Sequence, residues 1–235
     1  MLKIENFSKI YPNNKGAKNI SIEVKSGDIF AFIGHNGAGK STTIKSIVGV
    51  NDIPQGDIFI NGISMKNEPL KAKQFIAYVP DNPDIYESLT GQQFLEFVGN
   101  IYKVKISKLN ELIPYYSKLL EIYDELCMPI GTYSHGMKQK LAIVSALIHS
   151  PSLLVLDEPF VGLDPKASYV VKQIMKDFVK NGGAIFFSTH VLEVAEKLCN
   201  KVAIIKNGEI IKQGNMDDIK KDKSLETVFL ESENE

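Results

Sequence analysis

The segment that most constrains the fold of this chain is a glycine-rich run, Gly34-His35-Asn36-Gly37-Ala38-Gly39-Lys40-Ser41-Thr42. It follows an apolar stretch at residues 29–33 and matches the pattern G-x-x-x-x-G-K-[ST], in which a strand passes through a phosphate-binding loop into a helix. Such a loop turns its backbone N–H groups toward phosphate, and the helix that begins near Lys40 adds the positive end of its dipole. The segment predicts nucleoside triphosphate binding: Lys40 would reach the β and γ phosphates, the Ser41 hydroxyl would bind Mg²⁺, and Thr42 would hold a phosphate oxygen. A flexible glycine-rich turn is the alternative, and the flanking strand and helix patterns argue against it.

A second apolar stretch, at residues 153–156, ends in the acids Asp157 and Glu158. A carboxylate at the end of a buried strand is costly unless it is paired, and a Mg²⁺ ion held with the phosphate loop would supply the partner. We therefore predict that Asp157 binds Mg²⁺, directly or through water, and that Glu158 polarises the water that attacks the γ phosphate. Taken alone, this motif would instead favour a turn acid before Pro159.

The basic residues of the chain are all lysines. There are 27 of them and no arginine, so neither this chain nor an identical partner can supply an arginine finger. Charge on the transferred phosphoryl group would then be met by Lys40, Mg²⁺ and backbone donors. The formal net charge of -1 gives no bulk attraction to nucleic acid or anionic lipid, and we expect no nucleic-acid partner.

Length, cysteine content and hydropathy predict an ordinary soluble globular protein. With 235 residues it can form one α/β domain with an inserted subdomain, or two small domains. Cys127 and Cys199 lack C-x-x-C spacing, and we predict that both are reduced core residues. The first residues lack the apolar stretch of a signal peptide, and the longest apolar runs are too short to cross a bilayer. We expect a cytoplasmic protein.

Strand patterns occupy the beginning and the last third of the chain. They predict strands at residues 2–8, 20–24, 28–33, 57–61, 76–79, 153–156 and 184–188, and a hairpin over 202–212 that turns at Asn207-Gly208. The segments at 153–156 and 184–187 are typical of buried parallel strands.

The pattern between residues 90 and 150 is helical. Thr90 and Gln93 predict a capping box at the start of one amphipathic helix. A second amphipathic stretch runs over residues 109–123, and Pro114 is expected to break or kink it.

Further motifs occur in a fixed order around the phosphate loop and the acid pair. They are Tyr133-Ser134-His135-Gly136-Met137, then Gly162-Leu163-Asp164-Pro165, then Ser188-Thr189-His190. With them the chain resembles the ATP-binding cassette (ABC) ATPases over nearly its whole length. The three segments match the signature L-S-G-G-Q, the D-loop and the switch histidine of that family.

The resemblance implies a fold and an organisation. The fold is an α/β P-loop NTPase core with a mostly parallel sheet, an N-terminal antiparallel β subdomain and an inserted helical subdomain. The whole chain, 1–235, is then a single ABC ATPase domain. Its parts are the nucleotide-binding core with the β subdomain at 1–87 and 151–214, the helical subdomain at 88–150, and a C-terminal tail at 215–235.

The resemblance also implies ATP and Mg²⁺ as ligands and an ATP-driven dimer, formed with a second copy or with a paralogous ATPase. The segment Ser134-His135-Gly136-Met137 would contact the nucleotide of the opposite subunit through the Ser134 hydroxyl and the Gly136 N–H. Ser134 is also predicted to be a helix N-cap.

Other site residues follow from the same resemblance. His190 is the switch histidine and acts in catalysis with Glu158 and Lys40. Asp164 is the acid of the D-loop. Tyr11, ahead of the first strand pair, matches the aromatic residue on which adenine stacks, a contact worth roughly 1–3 kcal/mol in nucleic-acid complexes.

Three positions depart from the family pattern. Asp81 stands where the family has the glutamine of the Q-loop, and it can still contact Mg²⁺. His135 replaces a glycine and Met137 a glutamine in the signature. A protonated His135 ring would attract the opposite γ phosphate, whereas in the alternative interpretation, which we favour, the ring points outward and only packs.

Three functions are compatible with these motifs. In the first, the chain is the ATPase subunit of a transporter, peripheral on the inner face of the membrane and bound to a separate permease. Its variant motifs look like those of bacterial exporters of the drug, bacteriocin or lantibiotic-immunity kind. In the second, it is a soluble ABC-type ATPase that acts on ribosomes or DNA. The third, a phosphate-loop kinase or GTPase, does not explain Ser134, Asp164 and His190 together.

Overall fold

The computed structural model describes residues 1–83 and 85–234, which form two sheets surrounded by helices. The strands are β1 (Leu2–Ile10), β2 (Gly16–Val24), β3 (Ile29–Ile33), β4 (Gln55–Ile60), β5 (Ile63–Ser64), β6 (Ile76–Val79), β7 (Leu153–Asp157), β8 (Ala184–Thr189), β9 (Lys201–Lys206) and β10 (Glu209–Asn215). The helices are α1 (Lys40–Ile47), α2 (Pro69–Lys73), α3 (Gly91–Ile101), α4 (Ile106–Leu119), α5 (His135–Leu147), α6 (Pro165–Lys180), α7 (Leu192–Leu198), α8 (Met216–Lys220) and α9 (Leu225–Asn234), with a 3₁₀ turn at Ile130–Thr132.

The first sheet is antiparallel, with strand order β2-β1-β4-β5. Its apolar residues pack on β3 and α1 and form one of two cores, with Phe7 and Phe32 fully buried in it. The predicted strands are confirmed here, although β2 begins at Gly16 rather than at residue 20. Lys18 and Asn19 interrupt the hydrophobic pattern, but Gly16 and Ala17 still pair with the end of β1.

The second sheet has the order β10-β9-β3-β8-β7-β6, and all neighbours except β10 and β9 are parallel. Every residue of β3, β7 and β8 is buried, because both faces of this sheet are covered. The expectation of buried parallel strands is confirmed. The predicted hairpin is also confirmed, and Asn207 and Gly208 both have positive φ, as a tight two-residue turn requires.

The helical segment confirms one prediction and corrects another. Gln93 N donates to Thr90 Oγ1 at 3.2 Å and Thr90 N donates to Gln93 Oε1 at 3.0 Å, which completes the capping box of α3. Pro114, however, lies inside a continuous α4 and does not break it. Leu109 and Ile113 bury the same face of α4, and this packing outweighs the roughly 3 kcal/mol that an interior proline costs. The helix ends at Leu119, before the end of the amphipathic stretch predicted at residues 109–123.

The cysteines differ in environment. Cys199 is buried, and burial raises the pKa of its thiol. Cys127 is exposed, so the prediction of two core cysteines is wrong for this one. It lies in an irregular segment before the 3₁₀ turn, where no hydrophobic period indicates which side faces solvent. Within the described residues, no helix has both the length and the apolar character needed to cross a membrane.

Candidate functional site

Polar residues lie at the carboxyl ends of four neighbouring parallel strands of the second sheet, β3, β8, β7 and β6. In register, Ile33 of β3 lies beside Thr189 of β8, and Asp157 of β7 lies beside Ser188. The residues that follow these strands therefore gather at the carboxyl edge, where α/β sheets bind ligands. They are Gly34 after β3, His190 after β8, Glu158 after β7 and Asp81 shortly after β6.

The phosphate loop leaves β3 and enters α1 at Lys40, as predicted. Gly37 and Gly39 have φ of 81° and 113°, in the left-handed region that favours glycine. A Cβ on Gly39 would lie 2.4 Å from the carbonyl oxygen of Gly16, and one on Gly34 would lie 2.5 Å from that of Ile205. Close backbone approach thus requires glycine at both positions, and it holds the loop in a concave form.

Lys40 is nearly buried, with 7% of its surface exposed. Its Nζ donates to the carbonyl oxygens of Gly34 at 2.5 Å and His35 at 3.2 Å. Burial lowers the pKa of Lys40, and the carboxylates of Glu158 and Asp157 oppose that shift. The ammonium therefore lies within the loop and lines the cleft in front of it.

Asp157 is equally buried, at 7% exposure, and accepts a hydrogen bond from the Ser188 hydroxyl. Burial raises the pKa of this carboxyl, which the Ser188 hydrogen bond and Lys40 only partly offset. The Asp157 carboxylate and Ser41 line the same cleft, and such oxygen donors are the ligands that Mg²⁺ prefers. The donor set fits a Mg²⁺ ion whose charge would offset the burial of Asp157.

Glu158 adopts a strained backbone conformation, with φ of 50° in a non-glycine residue. Its N–H donates to the carbonyl oxygen of Ser188 at 3.2 Å. Its Oε1 lies 2.8 Å from Nδ1 of His190, whose side chain is 62% exposed, whereas that of Glu158 is 14% exposed. The conformation turns the carboxylate toward His190 and the cleft.

Tyr11 lies in the turn between β1 and β2, and not ahead of both strands as expected. The Asn51 amide donates to its hydroxyl at 3.3 Å, and Lys9 Nζ lies 5.4 Å from the ring centroid. The ring lines the same cleft as Lys40 and the acids. Tyr11 is thus available for a flat ligand group.

The cleft of about 270 Å³ brings together most of the predicted residues. It is lined by Tyr11, His35, Asn36, Gly37, Gly39, Lys40, Ser41, Thr42, Asp81, Asp157 and Glu158, together with Lys15 and Gly16, which the sequence analysis missed. Ala38 is turned away, and its carbonyl oxygen accepts the N–H of Gly208 at 2.8 Å. Lys15 belongs to no motif. Its position in the same β1–β2 turn as Tyr11 is the one sequence feature that could have indicated it.

The signature residues are at a different place. Ser134 caps α5, because its hydroxyl accepts the N–H of Met137 at 3.2 Å, and its predicted capping role is confirmed. None of the residues 134–137 is among those lining the cleft. The His135 ring packs against Gly162, where a Cβ would lie 2.2 Å from the ring. This contact favours packing over charge as the role of His135.

Asp164 caps another helix near that contact. Its Oδ1 accepts the N–H of Ala167 at 2.8 Å at the start of α6, and Lys140 Nζ lies 3.8 Å from Oδ2. The Ala167 hydrogen bond lowers the pKa of the carboxyl. The D-loop segment thus contacts the signature segment at His135 and α5 at Lys140.

Comparison with known proteins identifies the family. The family model described as ABC transporter matches residues 17–161. The chain is also 33% identical over 236 residues to the ABC-type transporter ATP-binding protein EcsA of Bacillus subtilis, with 98% of this chain and 96% of that protein covered. The chain belongs to the ABC transporter family.

Two further ABC proteins agree with the assignment. The linearmycin resistance ATP-binding protein LnrL of Bacillus subtilis is 35% identical over 219 residues, which cover 93% of this chain and 70% of that protein. A solved structure of an ATP binding subunit of an ABC transporter superposes with a TM-score of 0.95 at 33% identity and 99% coverage of both chains. The predicted fold class is confirmed. This chain is an ABC transporter ATP-binding subunit, an ATPase that binds ATP with Mg²⁺.

Proposed function

We propose that each ATP binds between the phosphate loop of one subunit, residues 34–42, and the signature segment, residues 134–137, of another. The observation that carries this proposal is that Lys40 and Asp157 line a cleft which the signature segment of the same chain does not line. Ser134 and Gly136 lie at the N-terminus of α5, whose dipole and free N–H groups suit a phosphate. The second subunit is another copy of this chain or a paralogous ATPase.

Different residues of the cleft would bind the phosphates, the metal ion and the adenine ring. The backbone N–H groups of the loop and Lys40 hold the phosphates. Ser41, Asp157 and Asp81 would hold a Mg²⁺ ion through their oxygen atoms, and the ion would supply positive charge against the phosphates. Tyr11 stacks on adenine.

Glu158 is the proposed general base. Its carboxylate accepts a proton from the attacking water, and His190 holds Oε1 in place through Nδ1. Because the chain lacks arginine, the developing phosphoryl charge is met by Lys40, backbone N–H groups and the Ser134 end of the opposite α5.

We further propose that the dimer drives a permease encoded as a separate chain, and that transport is outward. ABC ATP-binding subunits work with membrane permeases, and no described helix of this chain can span a membrane. The subunit would then sit on the inner face of the membrane. The similarity to LnrL, a resistance protein by name, favours export.

Dimer formation and permease binding have separate tests. The full chain with Glu158→Gln should elute as a dimer with Mg-ATP and as a monomer with Mg-ADP. The tagged wild-type chain, expressed in its source cell, should co-purify with a polytopic membrane protein. Capture of ribosomal proteins or DNA in its place would support the soluble ATPase.

The direction of transport needs a cellular test. Deletion of the gene should sensitise cells to linearmycin or another antibiotic, and the wild-type gene should restore resistance while Lys40→Ala does not. A deletion that leaves antibiotic sensitivity unchanged but prevents growth on a limiting nutrient would indicate import.

A further inference from the structure

The C-terminal helix α9 lies outside residues 17–161, which the family model matches, yet it reaches the phosphate loop. Its buried face consists of Leu225, Val228, Phe229 and Ser232, which recur at helical spacing. The next residue, Leu230, points to solvent with 55% exposure. One face of α9 therefore packs on the core, and Phe229 is its aromatic member.

Polar contacts fix α9 toward both of its ends. At the start, Oε2 of Glu196 on α7 accepts the Leu225 N–H at 2.9 Å, while Oε1 forms an ion pair with Lys220 of α8. The Lys220 hydrogen bond is the main reason that the pKa of Glu196 is lowered. At the other end, Lys206 Nζ donates to the Ser232 carbonyl oxygen at 3.2 Å. These contacts hold Phe229 in a defined position.

Phe229 contacts the second residue of the phosphate loop. Its ring and that of His35 have centroids 4.9 Å apart at an angle of 61°, which is an edge-to-face arrangement. The His35 carbonyl oxygen in turn accepts the Ala38 N–H at 3.1 Å and Lys40 Nζ at 3.2 Å. Phe229 thus contacts His35, and the carbonyl oxygen of His35 accepts hydrogen bonds from both the loop backbone and Lys40.

The same ring faces the hydrolytic end of the site. Phe229 lines a cavity of about 620 Å³ together with Gly34, His35, Asn36, Asp81, Glu158 and His190. With 7% of its surface exposed, Phe229 forms part of the wall of this cavity. The tail of the chain thereby contributes to the surroundings of the phosphates.

We propose that Phe229 is a positioning residue for the nucleotide site: from α9, its ring holds His35 and so pre-organises the phosphate loop for ATP. This inference rests on the proposed role of residues 34–42 in binding nucleotide. A loop with several glycines has many accessible conformations, and a fixed aromatic contact restricts them before the ligand binds. Phe229 is not among the residues that line the Lys40 cleft, so its effect on the nucleotide is exerted through His35.

A double-mutant cycle on nucleotide affinity tests the proposal. The full chain is titrated with the fluorescent nucleotide mant-ATP in the presence of Mg²⁺, as wild type, Phe229→Ala, His35→Ala and the double variant. Phe229→Ala should weaken binding about two- to tenfold, the range of one aromatic pair. In the His35→Ala background it should change affinity less than about twofold, because the contact is already absent. Factors that multiply across the cycle would overturn the proposal, as would wild-type affinity in Phe229→Ala.

Three further variants secure the interpretation. Leu230→Ala, on the exposed face of the same helix, should bind mant-ATP as the wild type does. If Phe229→Ala does not fold, Phe229→Leu, which keeps the apolar volume but loses the ring, decides the question in the same cycle. Lys40→Ala distinguishes failure of the proposed nucleotide site from failure of this inference. If Lys40→Ala binds mant-ATP as the wild type does, the proposed nucleotide site is wrong. If Lys40→Ala loses binding but Phe229→Ala does not change the affinity, only the proposed role of Phe229 is wrong.

Discussion

Nδ1 of His190 lies 2.8 Å from Oε1 of Glu158, across the gap between the ends of two neighbouring strands. The two residues are separated by 32 positions in sequence, and the pairing of β7 with β8 brings them together. Glu158 is mostly enclosed while His190 is open to solvent. The carboxylate is therefore held at the edge of the cleft by a side chain that a ligand or a second subunit can also reach.

Glu158→Gln should remove the base and keep the shape of the site. We expect ATP to bind, the dimer to accumulate, and turnover to fall by about 10²–10⁴. Phosphate release measured with Mg-ATP gives the rate, and mant-ATP titration gives the affinity. Undiminished hydrolysis would show that another group activates the water.

His190→Ala should slow turnover by about 10² or more, because Glu158 loses the group that orients it. The decisive measurement is the double variant with Glu158→Gln. Residues that act as one unit are not additive, so the double variant should be no slower than the slower single variant. Rates that multiply would mean that His190 works independently of Glu158.

Ser134→Arg should prevent hydrolysis and ATP-driven dimerisation, because a long cation would crowd the phosphate of the opposite subunit. Affinity of the monomer for ATP should remain. Ser134→Ala is the comparison variant: it loses the helix cap, at a cost of about 1 kcal/mol in stability, and the hydroxyl proposed to contact the opposite phosphate, but it adds no bulk or charge and should impair hydrolysis less than Ser134→Arg does.

Mixed dimers give the sharper result for the same site. A Ser134→Arg subunit combined with a Lys40→Ala subunit places both lesions in one composite site and leaves the other intact. One site per dimer should then still turn over. Loss of turnover at both sites is the result expected if each subunit's site were complete by itself, and it would contradict binding across the interface.

Asp28→Asn should destabilise the fold without altering the nucleotide site. Burial raises the pKa of Asp28, but hydrogen bonds from Lys201, the Lys25 N–H and Asn200 outweigh it, and the net pKa is lowered. The variant should lose about 1.5–3 kcal/mol of unfolding free energy at pH 7.

The pH dependence of that loss has a definite sign. A lowered pKa means that the ionised carboxyl stabilises the fold above its unfolded pKa, near 4, and that this contribution disappears as the pH falls through the folded value. Urea unfolding should therefore show wild type and Asp28→Asn converging below about pH 4. The exposed Asp124→Asn should show neither effect. A difference in unfolding free energy that does not shrink as the pH falls below about 4 would point to packing and not to charge.

Patterns that are local in sequence determined much of this protein. The phosphate loop, the capping box of α3, the cap at Ser134 and the Asn207-Gly208 hairpin depend on residues within a few positions of each other, and local backbone chemistry fixes them. The acids at the end of β7, Asp157 and Glu158, were predictable because a carboxylate at the end of a buried apolar strand is costly without a partner.

The tertiary structure decided the rest, because contacts between distant residues depend on strand order and packing. The register between β7 and β8 brings the Ser188 hydroxyl within hydrogen-bond distance of Asp157. It also brings His190 Nδ1 within hydrogen-bond distance of Glu158 Oε1. Packing of its apolar face kept α4 intact through Pro114. The contact of Phe229 with His35 had no sequence signal, because it joins the tail to a loop almost 200 residues away and exists only once both cores have formed.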